Sequence, residues 1–170
     1  MTIDDRQGDM MSAATATQVN GDDDSLAALL RGEMRDKLGL SSEQLRVGLS
    51  VARNHLTRGA PLDALRIYVA LVLCEPTNVD FQIGLANCAG LLGEHHLALQ
   101  AASVVIALAP KDARGYLLSG RSCLGIGAFS EAKEDLEDAL ALAGADSAVA
   151  SEATLLLGRI ATAAAAAATA

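Results

Sequence analysis

The chain has almost no aromatic residues. Its 170 residues include two Tyr, two Phe and no Trp, 2% in all. Strands favour aromatic and β-branched side chains, and Val and Ile are also few, so a β-sandwich or barrel is excluded. Proline occurs three times, at positions 61, 76 and 110, each outside a long helical pattern. Cysteine is as rare: Cys74, Cys88 and Cys123 are odd in number and form no C-x-x-C pair, which argues against a disulfide framework or a zinc site. Reduced, buried thiols suit a cytosol. Positive charge is also short, with 13 Lys and Arg against 21 Asp and Glu, a net charge of −8. Such a chain lacks the basic surface that nonspecific nucleic-acid binding needs. No apolar run is read as reaching the roughly 18 residues of a membrane span. Met1 to Asn20 has neither the basic start nor the apolar stretch of a secretion signal. The expectation is a soluble, cytoplasmic protein that binds no nucleic acid and has no membrane span.

Ala and Leu dominate instead, and both are strong helix formers. Residues 1–21 are polar and small and read as disordered. Asp22, Asp23, Asp24 and Ser25 precede Leu26, Leu29 and Leu30 and mark a helix start. That helix runs to Leu38, and Gly39 stops it. Its stripe of Leu26, Leu29, Leu30, Met34 and Leu38 predicts packing on the first repeat or on a second copy of the chain.

From there a single period organises the sequence. Gly59, Gly93 and Gly127 are 34 residues apart, as are Ala64, Ala98 and Ala132, and Pro76 and Pro110. Ala52, Ala86 and Gly120 keep the same phase, with Tyr68, Ala102 and Leu136, and Leu71, Val105 and Ala139. Two helices per 34 residues is the tetratricopeptide pattern. The units are 45–78, 79–112 and 113–146. Small residues let paired helices approach, the glycines take positive φ where each first helix ends, and Pro76 and Pro110 end the second helices. Leu155, Leu156, Leu157 and Ile160 form the stripe of a capping helix over about 147–165. Ala163 to Ala168 read as a frayed tail, with extension of that helix as the other reading. The fold class is therefore all-α: a right-handed solenoid of three helix pairs in one domain over 22–170, with an N-terminal helix and a C-terminal cap.

No catalytic signature is present, and no enzyme activity, cofactor or metal is expected. Gly84, Gly90 and Gly93 follow no strand and make no phosphate loop. His95 and His96 are adjacent and are not an i, i+4 metal pair. Glu131, Glu134, Asp135, Glu137 and Asp138 read as a solvated face. What remains is a surface. The first helix of each unit lines the concave side of such a stack. The groove-facing positions are Arg46, Leu49, Arg53 and Leu56, then Asp80, Ile83, Asn87 and Gly90 with Leu91 beside them, then Arg114, Leu117, Arg121 and Leu124. An aliphatic row (Leu49, Ile83, Leu117) runs beside a polar row (Arg53, Asn87, Arg121). Apolar pockets with a few fixed polar groups suit an extended or helical peptide. Four arginines on the concave face of an acidic chain suit a peptide bearing carboxylates.

Several stretches carry a narrower resemblance. Leu40 to Leu45 (Leu-Ser-Ser-Glu-Gln-Leu) opens the first repeat, with Ala52, Asn54, Gly59 and Asp63-Ala64 after it. Phe81 to Cys88 (Phe-Gln-Ile-Gly-Leu-Ala-Asn-Cys) opens the second, followed by Leu92-Gly93 and Ala98, and the third has Cys123, Gly127 and Ala132. Over about residues 26–160 the chain resembles the class II, translocator-type chaperones of bacterial type III secretion systems, the SycD/LcrH type. The resemblance implies a cytoplasmic chaperone that holds a hydrophobic secreted client in its concave groove, and a homodimer through residues 22–38. The family carries aromatics on the groove side of its first repeat, where this chain has Leu49, Arg53 and Leu56. A general tetratricopeptide interaction scaffold is the other reading of the same repeats.

Overall fold

The structure, a computed structural model, describes residues 33–144 and 147–168. The disorder expected of 1–21 and the stripe residues Leu26, Leu29 and Leu30 lie outside them. The described residues form eight helices and no strand: α1 Glu33–Lys37, α2 Ser42–Thr57, α3 Pro61–Cys74, α4 Val79–Leu91, α5 His95–Leu108, α6 Ala113–Ile126, α7 Phe129–Leu142 and α8 Ala148–Ala168.

Local chemistry sets the ends. Ser41 caps α2 reciprocally: its hydroxyl accepts the Gln44 N–H at 3.2 Å, and the Gln44 side chain accepts the Ser41 N–H at 2.8 Å. Asn78 accepts from the Phe81 N–H at 3.3 Å, and Asp112 from the Arg114 N–H at 3.0 Å, so α4 and α6 are capped too. Pro61 opens α3, where no backbone donor is needed. Gly59, Gly93 and Gly127 turn the chain between paired helices at φ 73°, 79° and 83°, as their spacing predicts.

The helices pack in chain order. α2 lies on α3, α4 on α5 and α6 on α7; each second helix also meets the first helix of the next pair, and α8 packs on α7 and α6. This is a solenoid, with contacts between neighbours and no long-range topology. Its pairs close on small residues: Ala52, Ala64, Ala86, Ala98 and Ala132 are at most 1% exposed. Two buried glycines are required by close approach. A Cβ at Gly120 would stand 2.7 Å from Leu136 Cγ and 3.2 Å from the Ala132 carbonyl oxygen. A Cβ at Gly84 would fall inside the Tyr68 ring, so the largest side chain of α3 is seated on bare α4 backbone. Cys74, Cys88 and Cys123 are buried free thiols, and burial pushes Cys88 up to about 11.

Three expectations are corrected. The alanine tail does not fray at 163: α8 runs to Ala168, because alanine is the best helix former and the cap is already nucleated on α7. The stretch Ala148–Ala166 is long and apolar enough to cross a membrane by length and composition, which the sequence reading denied. It counts as apolar because alanine does, and it nevertheless buries Ala150, Ala153 and Leu156. Asp135 does not belong wholly to a solvated face. It is half-buried, accepts the Ser119 hydroxyl at 2.6 Å and lies 3.8 Å from Cys123 Sγ.

Gly93→Val should lower unfolding stability by about 1–3 kcal/mol in a urea titration, because a β-branched residue is strained at positive φ. Gly84→Ala should cost about as much, by overpacking against Tyr68. Asp135 supplies a pH signature. Burial raises its pKa above the ordinary 3.8. The stability linked to its neutral form is fully present below the unfolded pKa and is lost as the pH rises through the folded value. The stability of Asp135→Asn relative to the parent should therefore rise from acid to neutral pH. A flat difference would place Asp135 in solvent.

Candidate functional site

α2, α4 and α6 carry the residues expected to line the groove. Leu49, Leu56 and Ile83 are half-buried and rest on the core of the first two pairs, so each still offers apolar surface. Leu91 is 61% exposed. Leu117 departs from the expected open row. It is only 6% exposed and clusters with Ala153 and Leu156, with Leu124 packed against the same cluster. The cause is α8, which sits where the first helix of a fourth unit would sit and covers α6. The open aliphatic row is thus Leu49, Leu56 and Ile83, and the third unit's leucines are spent on the cap.

The polar row is tied together by ion pairs. Asp80 lies 3.9 Å from Arg53 Nη2 and 3.6 Å from Arg114 Nη1, so one carboxylate bridges α2, α4 and α6. Arg114 also grips Asp112 at 2.6 Å, and its guanidinium holds that carboxyl below the usual range. Arg121 donates to Asn87 Oδ1 at 3.4 Å and lies 3.5 Å from Glu152 on α8. Arg46 pairs with Glu43. The four arginines expected on the concave face are thus paired within the chain. Each groove arginine has an acid beside it, because Asp80, Asp112 and Glu152 come from helix starts and from the cap. Most of these pairs are half-exposed and worth about 0–1 kcal/mol each. They fix side-chain positions more than they stabilise the fold.

Sequence reasoning missed four residues at the C-terminal end of this face. His95, the first residue of α5, is one of them. It is half-buried, with its imidazole against the backbone of Gly125, where a Cβ would overlap the ring. Phe129, Glu152 and Arg159 also lie here. The rarity of aromatics was the available signal for Phe129. Nothing in the repeat columns marks α8, which follows no 34-residue phase.

Comparison with known proteins now bears on this geometry. No family model matches the chain. PcrH, known from Pseudomonas aeruginosa, was solved in complex with the chaperone binding region of PopD; it is 25% identical, covering 73% of this chain and 96% of PcrH, with a TM-score of 0.67. SycD of Yersinia enterocolitica, a type III secretion chaperone solved with a peptide of the translocator YopD, is 24% identical over 71% of this chain and 94% of its own, with a TM-score of 0.65. This chain has the fold of the type III secretion translocator chaperones. A different relative is cellulose synthase operon protein C of Pseudomonas fluorescens, 30% identical over 122 residues. That match covers 72% of this chain and only 9% of the relative.

Burial separates the two kinds of leucine. Leu117→Ala should lower stability by about 2–4 kcal/mol, whereas Leu49→Ala should cost about 1 kcal/mol or less, since only part of its surface is covered. Chemical denaturation of both variants checks this, and equal losses would mean that α8 does not cover α6.

Proposed function

We propose that the chain is a cytoplasmic chaperone, acting by binding and not by catalysis, that holds a hydrophobic translocator-like secretion substrate on its concave face and keeps it competent for export. The observation that carries this reading is the half-buried row of Leu49, Leu56 and Ile83 on α2 and α4, flanked by Arg53 and Asn87. The shared fold of PcrH and SycD, both solved with translocator segments, supports it. Affinity would come from client apolar side chains leaving water, at about 25 cal/mol per Å² before association costs. Arg46, Arg114 and Arg121, already paired within the chain, would orient the client's polar groups. Residues 22–38 would mediate self-association.

A scaffold within an envelope complex is the second reading, favoured by the match to one short stretch of cellulose synthase operon protein C.

Co-expression with the hydrophobic protein encoded beside its gene tests the proposal. The parent chain should keep that protein soluble and co-purify with it. Leu49→Ala and Ile83→Ala should each weaken binding by roughly 1–3 kcal/mol while the chain stays folded. Normal binding by the double variant would exclude the row as the site. Removal of residues 1–38 should lower the mass measured by light scattering from that of two chains to that of one shortened chain, and a mass of two shortened chains would remove self-association through this segment from the reading.

A further inference from the structure

A cavity of about 550 Å³ opens where α4, α6 and the C-terminal half of α8 converge. It exists because one repeat position has lost its side chain. Leu56, Gly90 and Leu124 occupy the same place in successive units. At Gly90 a Cβ would meet nothing within 4 Å. The leucine absent from the second unit leaves a hollow, and α8 roofs it with Leu156 and Ile160. Phe129 stands at its wall, 57% exposed, an unusual position for one of only two Phe in the chain.

The charges of the cavity differ from those of the groove. Arg121 reaches it but is already matched by Glu152 at 3.5 Å. Arg159 also lines it and has no ion-pair partner among the described residues. A guanidinium with no ion-pair partner among the described residues, lining the same cavity as an exposed Phe and aliphatic side chains, is complementary to an apolar side chain with a carboxylate next to it.

We infer that this cavity is an anchor site for a bound peptide segment in which a bulky apolar residue stands next to an Asp or Glu. The apolar side chain enters between Gly90, Phe129 and Ile160, and the carboxylate meets Arg159. The inference rests on the peptide-binding reading above and adds a sequence preference to it.

Three capped pentapeptides serve as probes: one with Phe followed by Glu at its centre, its Phe–Gln counterpart and its Ala–Glu counterpart. Each is titrated into the isotope-labelled full chain, and amide shifts are followed residue by residue. The Phe–Glu peptide should move the amides of Gly90, Gly125, Phe129 and Arg159. The Phe–Gln peptide should bind about fivefold more weakly, and the Ala–Glu peptide more weakly still. Arg159→Gln should erase the preference for Glu over Gln. Gly90→Leu restores the missing side chain in open space on a helix, so it should fold at least as well as the parent and abolish the cavity shifts. Shifts confined to Leu49, Leu56 and Ile83 would overturn the inference and leave the groove reading standing. Shifts at the cavity alone would support the inference against the groove. Equal binding of the Glu and Gln peptides would overturn the role of Arg159, and silence at both places would overturn both readings.

Discussion

Two helices can pack closely only where neither interposes a side chain, and the whole stack depends on meeting that condition at regular intervals. The columns of alanine and glycine meet it. Ala52 with Ala64, Ala86 with Ala98 and Gly120 with Ala132 are the points of approach, all buried. Where a large residue enters, a glycine opposite yields: Leu136 lies over Gly120, and Tyr68 over Gly84. The near-absence of aromatics follows from this. A chain that buries its area through many small close contacts has few places for a ring.

The same stacking shapes the concave face. Equivalent positions in successive units come side by side, so a residue chosen in one unit is answered by its counterpart in the next. Asp80 occupies the position of Arg46 and Arg114, and this one change of sign links three helices. Asn87 and Arg121, 34 residues apart, meet directly. The groove is thereby held in shape before any client arrives, and its arginines are less free to attract anions than their number suggests. A client would be gripped chiefly through apolar contact, with the fixed polar groups setting its register.

The C-terminal helix has two effects. It closes the core of the last pair, which would otherwise expose Leu136 and Ala139, and it withdraws Leu117 and Leu124 from the groove. By continuing through its alanine run it also overhangs the second unit, where Gly90 leaves space beneath it. A cap longer than closure requires thus converts a missing side chain into a cavity.

The repeat could be read in advance because it depends on local causes recurring at fixed spacing. Positive-φ glycines, caps at Ser41, Asn78 and Asp112, and small residues at the approach points act within a few residues of themselves, or at the period of the helix pair. The pairing of helices and the identity of the concave helices follow from that period, whereas the likeness to the translocator chaperones rests on particular stretches such as Leu40 to Leu45 and Phe81 to Cys88. The tertiary structure decided what depends on a neighbour outside the period. Leu117 reads like Leu49 and Ile83 in its column, yet it is buried, because α8 has no column of its own. Arg53, Arg114 and Arg121 read as a basic flank, yet each is met by an acid from another helix. Asp135 reads as one acid in a run, yet Ser119 lies on its side of α7. Charge balance and exposure belong to pairs of residues far apart in the chain, and only their placement in space brings them together.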